Sequence, residues 1–143
     1  MKFFTIIAVV CYLFVVTNCL PTLPSLPNTE LINQCSQEKG VSLEDANQLV
    51  QHLKEASNQK EKCLLSCYLK GSGYYVNGKV DFDKMLESHK KFLPAEQQKE
   101  LERIFKDCKD NFVYDNKDEC QVAYDAYRCA LPNKSQMSPS FVV

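Results

Sequence analysis

The chain has no tryptophan, only four glycines among 143 residues, and just two histidines, His52 and His89. With six prolines, glycine and proline together are too sparse for a collagen-like, linker-rich or disordered chain. Neither sign of charge is in excess, since 17 Lys and Arg stand against 18 Asp and Glu. Nucleic-acid binding normally leaves a basic footprint; none is present, so nucleic acid is not expected as a partner. A bilayer span takes about 20 apolar residues. The longest apolar run, Phe3–Val16, has 14 and is broken only by Thr5, so no stable membrane insertion is expected. Catalytic signatures are missing too: no G-x-S-x-G, no H-E-x-x-H, no Cys-Cys-x-x-His, and no motif partner beside either histidine. Carboxylate pairs such as Asp81/Asp83 and Asp118/Glu119 fall at helix starts, where capping is their ordinary role. These absences argue against an enzyme and give no reason to expect a cofactor.

Cysteine, by contrast, is abundant, with eight residues. Cys11 and Cys19 lie in a segment that opens with Lys2, continues with the apolar run, and places Thr17 and Cys19 before Leu20. That pattern reads as a secretory signal peptide over residues 1–19, and no stop-transfer charges follow it. Residues 20–143 are then one exported domain with six cysteines, and with 16 basic against 18 acidic residues its formal charge is −2. An even cysteine count in an exported chain reads as a disulfide framework.

Pro21, Pro24 and Pro27 make residues 20–28 an extended arm. Beyond it the apolar spacing predicts six amphipathic helices. The first covers Glu30–Lys39 and stops at Gly40. Ser42 and Asp45 start the second, with Leu43, Ala46, Leu49, Val50 and Leu53 at helical spacing. Asn58 opens the third, which carries Cys63, Leu64, Cys67 and Tyr68 up to Gly71. Residues 71–78 hold three of the four glycines and read as a loop, and no stretch alternates as a strand would. Asp81 caps the fourth helix, which has Phe82, Met85, Leu86 and His89 on one face. Pro94 suits the first turn of the fifth, striped with Leu101, Ile104, Phe105, Cys108 and Phe112. The sixth spans Asp118 to Ala130, with Val122, Ala123, Ala126 and Tyr127 inward, and Pro132 ends it. The polar tail carries a glycosylation sequon at Asn133 and closes on Phe141, Val142 and Val143. The fold class is all-α.

Helical geometry limits how Cys35, Cys63, Cys67, Cys108, Cys120 and Cys129 pair. Cys63 and Cys67 lie on one face of one helix with near-parallel side-chain vectors, unsuited to bonding each other. Cys120 and Cys129 sit about 2.5 turns apart on opposite faces of another. Removing those two bonds leaves ten of the fifteen pairings open. As a metal motif, C-x3-C lacks a second close pair, and export favours oxidation, so no metal is expected.

The spacing C-x27-C-x3-C-x40-C-x11-C-x8-C, in an all-helical exported chain of this length, resembles the insect odorant-binding proteins of the pheromone/general odorant-binding family. The strings KGVS after the first cysteine and NGKVDFDKM after the third add to the likeness. The resemblance implies three interlocked bonds, Cys35–Cys67, Cys63–Cys120 and Cys108–Cys129, around an internal apolar cavity. It also implies a secreted carrier that binds small hydrophobic ligands reversibly and delivers them through aqueous lymph to an olfactory receptor. By that likeness the cavity is lined by Phe82, Met85, Leu86 and His89, by Leu101, Ile104 and Phe105, and by Tyr127 and Ala130. Phe141 and Val142 would close over it, as the C-terminal segment does in some members. A monomer or weak homodimer is expected. The alternative reading uses the same fold as a non-olfactory lipophile carrier or protein-interaction factor of gland, haemolymph, venom or seminal fluid.

Overall fold

Short polar side chains that occupy free backbone N–H groups mark most of the helix starts in the computed structural model, which describes residues 28–130. Asn28 accepts from Leu31 N at 3.2 Å to begin α1 (Thr29–Lys39), and Ser42 from Asp45 N at 3.1 Å to begin α2 (Leu43–Val50). Asn58 accepts from Glu61 N at 3.1 Å to begin α3 (Gln59–Gly71). Asp81 accepts from Lys84 N at 2.9 Å to begin α4 (Phe82–Lys90). Pro94 lies just outside α5 (Ala95–Asn111), one position earlier than the spacing suggested. Asp118 likewise stands before α6 (Glu119–Ala130) and takes Gln121 N at 2.8 Å. These are the six predicted helices.

Two helices end in the same way. At α1, Gly40 adopts φ 63°, with Gly40 N bonded to Gln37 O and Val41 N to Ser36 O. At α2 the corresponding residue is His52, with φ 62°, and the bonds are His52 N to Leu49 O and Leu53 N to Gln48 O. This reversal is the Schellman ending, which usually falls to glycine. It stops α2 at Val50 and corrects the expectation that the stripe continues to Leu53, which is 49% exposed.

The segment read as a loop contains a minimal hairpin, β1 (Tyr75–Val76) and β2 (Lys79–Val80), with Tyr75 opposite Val80. Asn77 at φ 53° and Gly78 at φ 76° make its turn, the pair of left-handed conformations favoured by the twist of a two-residue hairpin. Gly71, assigned to the loop as well as to the end of the third helix, is the last residue of α3. Its missing Cβ is what lets Leu31 of α1 lie against it.

The centre of the core is α3, with Leu64 and Leu65 buried against α1 (Ile32), α2 (Ala46, Leu49) and α6 (Ala123, Ala126). The small residues on α2 and α6 let the backbones approach closely. Helices α4 and α5 run antiparallel: Lys90 pairs with Glu102 at 2.7 Å near one end, and Asp83 with Lys109 at 2.5 Å near the other. Three disulfides fasten the arrangement. Cys35–Cys67 joins α1 to α3, Cys63–Cys120 joins α3 to α6, and Cys108–Cys129 joins α5 to α6. These are the bonds the resemblance implied. They leave no free thiolate in C-x3-C for a metal.

Candidate functional site

The sequence-predicted positions on α4, α5 and α6 fall on the inner sides of those helices. Phe82, Met85, Leu101, Phe105 and Tyr127 are buried in the apolar core, and Leu86, Ile104 and Ala130 pack half-buried against it. His89 is half-buried at the end of α4, with its Nδ1 2.7 Å from Met85 O. Phe141 and Val142 lie outside the described residues, as do the leader and Asn133.

Rings gather part of this set into one place. The His89 ring centre is 5.9 Å from that of Phe105 and 6.5 Å from that of His52. His52 in turn stacks on Tyr127 at 4.4 Å with 23° between the planes. A continuous series, Phe105–His89–His52–Tyr127, therefore links α5, α4, the turn after α2, and α6. Phe82 belongs elsewhere. At the opposite end of α4 it meets Phe112 at 5.2 Å, and Phe112 meets Tyr114 at 4.7 Å. The Tyr114 hydroxyl accepts from Val80 N at 3.2 Å, anchoring β2 there. Phe82 also borders a surface hollow of about 280 Å³ with Val76, Lys79, Asp83 and Lys109. A second hollow of about 530 Å³, bordered by Leu31, Gln34, Glu38 and Lys70, contains none of the sequence-predicted residues.

Sequence reasoning missed His52. The signal was a histidine inside an apparently continuous helical stripe, and only the turn at Val50 reveals that its ring points to the interior. The turn itself is pinned by charge. Lys54 Nζ bonds Asp45 at 2.6 Å and Glu61 at 2.9 Å. The other Glu61 oxygen accepts from Ser57 N at 2.6 Å and Ser57 Oγ at 3.0 Å. Burial alone would raise the Glu61 carboxyl, but the Ser57 N–H and Lys54 hold it below its ordinary value. The Tyr127 hydroxyl donates to Leu49 O and, at 3.4 Å, to Lys54 O, so the same turn fixes the ring on which His52 stacks. Burial, with a smaller contribution from Glu55, raises the Tyr127 hydroxyl above its ordinary value.

The His52 imidazole is pushed down to about 4, first by burial and then by repulsion from His89. Although the residue as a whole is half-buried, its Nδ1 is shielded from water and has no hydrogen-bond partner. Such an orphan atom costs about 1–3 kcal/mol. At neutral pH His52 is thus an uncharged ring in apolar surroundings, with unused hydrogen-bonding capacity. The six described cysteines are all bonded. Among the described residues no three His, Cys, Asp or Glu side chains converge as a metal site would. What the arrangement presents is an apolar interior with two imidazole rings at its edge.

Residues 28–133 match the model of the PBP/GOBP family. Comparisons with curated proteins and with solved structures gave no match.

Proposed function

The chain belongs to the PBP/GOBP family, a family of carriers for small hydrophobic ligands, and from that premise we propose an olfactory role. The protein is exported, loads odorants, pheromones or similar lipophiles, and carries them through aqueous lymph to olfactory receptors. Export rests on the leader pattern of residues 1–19 and agrees with three disulfides. Among the described residues no helix is long and apolar enough to cross a membrane.

The observation that carries the reading is the convergence of buried apolar faces from α4, α5 and α6 on a ring series with no bound charge partner. Met85, Leu101, Ile104, Phe105 and Tyr127 line the ligand site, joined by Leu86, His89 and Ala130, with Phe82 at its hairpin end. The family likeness extends the proposed ligand contacts to Phe141 and Val142. Displacement of an environment-sensitive fluorescent probe by alcohols, esters and fatty acids tests the carrier role. Micromolar displacement is expected, and a folded, disulfide-intact protein that takes up no probe refutes it in favour of a protein-interaction factor. Deleting residues 141–143 should weaken probe binding; unchanged affinity refutes their part in the site. Expression confined to glands or haemolymph, rather than antennae, refutes the olfactory role while leaving the carrier intact.

A further inference from the structure

Nine asparagines punctuate the chain, and Asn77 alone is followed by a glycine. The pair forms the exposed tip of the β1–β2 hairpin, with Asn77 at φ 53° and Gly78 at φ 76°. Other asparagines have their side chains engaged. Asn28 and Asn58 cap helices through their side-chain oxygens, and Asn47 and Asn111 donate to Leu43 O and to Asp107. The Asn77 amide makes no hydrogen bond among the described residues. A Cβ placed on Gly78 would meet nothing within 4 Å, so the space around the turn is open. Nor is the turn strongly held. Each strand has two residues, and only Tyr75–Val80 and Val76–Lys79 pair across it; a lone hairpin of that size is marginal in water.

We propose that Asn77 is a site of spontaneous deamidation, which gives the folded protein a second, more acidic form altered at the hairpin turn. The Gly78 backbone nitrogen loses its proton to hydroxide and attacks Asn77 Cγ. An N–C bond forms, the Cγ–Nδ2 bond breaks, and ammonia leaves with a proton taken from water, which restores the hydroxide. Water then opens the resulting succinimide. Opening at the side-chain carbonyl gives an aspartate at position 77, and opening at the main-chain carbonyl gives an isoaspartate. Glycine permits the attack, because a Cβ at position 78 would crowd the nitrogen as it closes on Cγ. Closure requires the Asn77 backbone to rotate out of its left-handed conformation, which the weak strand pairing allows. The isoaspartate carries one extra backbone methylene and no longer suits a two-residue turn. Both products add a negative charge to the tip adjoining Val76 and Lys79, which border the hollow of about 280 Å³. Beyond the turn the chain is held independently, by Val80 N on the Tyr114 hydroxyl at 3.2 Å and by Asp81 N on Tyr74 O at 2.8 Å. The change therefore stops short of α4.

The test incubates the disulfide-intact protein at pH 7.5 and 8.5 and follows each asparagine by peptide mapping in a mass spectrometer. Methyl transfer by an isoaspartyl methyltransferase marks the isoaspartate. Asn116 is the internal control, since it too is exposed and left-handed, at φ 57°, but Lys117 follows it. Asn77 should deamidate at least about tenfold faster than Asn116, an activation difference of about 1.4 kcal/mol, and its rate should rise in proportion to hydroxide. In the folded protein it should react no more than about tenfold slower than in the reduced, unfolded chain, because opening so short a hairpin costs about 1.4 kcal/mol or less. Asn77→Gly, which keeps a pair suited to the turn, should lose the methyl-acceptor signal. Equal rates at Asn77 and Asn116, deamidation confined to the unfolded chain, or a methyl-acceptor signal that survives Asn77→Gly overturns the proposal. The comparison within the native protein decides by itself if the variant does not fold.

Discussion

Acid should weaken the fold through His52 in a defined pH interval. The perturbation is protonation of a ring whose folded value is about 4, against 6.5 for the exposed side chain. Above pH 6.5 both folded and unfolded chains hold the ring neutral, so its contribution is complete. Between pH 6.5 and 4 only the unfolded chain takes up the proton, and stability falls by about 1.4 kcal/mol for each pH unit. Below pH 4 both states are protonated and the loss levels off at about 3 kcal/mol. The carboxylates Asp45, Glu61 and Glu100, held below their ordinary values by hydrogen bonds and cations, add their own loss in the lower part of the range. The informative quantity is therefore the difference between the native protein and His52→Phe, which retains the strained backbone but cannot titrate. Urea denaturation with disulfides intact, at pH 7.5, 5.5 and 4.5, should show the native protein losing about 2–3 kcal/mol relative to the variant as pH falls. A difference independent of pH, or an NMR midpoint near 6.5 for the His52 ring, refutes the burial argument.

Gly71→Ala places a Cβ 2.9 Å from Leu31 Cδ2 and closer still to Cδ1. Despite the better helix propensity of alanine it should cost about 1–2 kcal/mol, and in a Leu31→Ala background it should stabilise instead, as thermal melts of the four proteins would show. Glu61→Gln removes a carboxylate that is 7% exposed and bonded to Lys54 and Ser57. With Lys54 partly solvated, the expected loss is about 2 kcal/mol in the urea midpoint, and a loss below about 0.5 kcal/mol would show that the network is replaceable by water. Replacing Cys63 and Cys120 by serine opens the longest loop, 57 residues, at about 4 kcal/mol, against about 3 kcal/mol for the 21-residue Cys108–Cys129 loop. The reverse order, read from melting temperatures of the two serine pairs, would contradict the loop-entropy account.

The starts of α2, α3 and α4 were legible because Ser42, Asn58 and Asp81 precede apolar residues at helical spacing, and each does cap; Asn28, the cap of α1, was hidden in a proline-rich arm. The end of α1 was legible because glycine announces a left-handed residue. The end of α2 was not, since its left-handed residue is a histidine held by a contact with Tyr127, 75 positions along the chain. The hairpin escaped because its strands have two residues each, too few to alternate, although the Asn77-Gly78 pair is the turn chemistry such hairpins use. Helical geometry alone left ten disulfide pairings open, and only the resemblance narrowed them to the set observed. The inward faces of α4 and α5 were readable from periodicity. That Phe82 and His89 serve opposite ends of one helix was not, because it depends on which rings tertiary packing brings to each end.

The disulfides divide the six helices unequally. Covalent links run α1 to α3 to α6 to α5, and α2 and α4 carry none. The four linked helices make a cross-linked frame, while α2 and α4 are panels held to it without covalent links, by packing, chain connectivity and polar contacts such as Lys90–Glu102, Asp83–Lys109 and Tyr127–Leu49. His52 follows one panel and His89 ends the other, so the two rings that face each other stand at the seam where the panels meet. Swinging either panel outward breaks no covalent bond and leaves the frame intact. Amide exchange should therefore be faster in α2 and α4 than in α3 and α6, reporting partial opening of that seam at a free energy well below global unfolding.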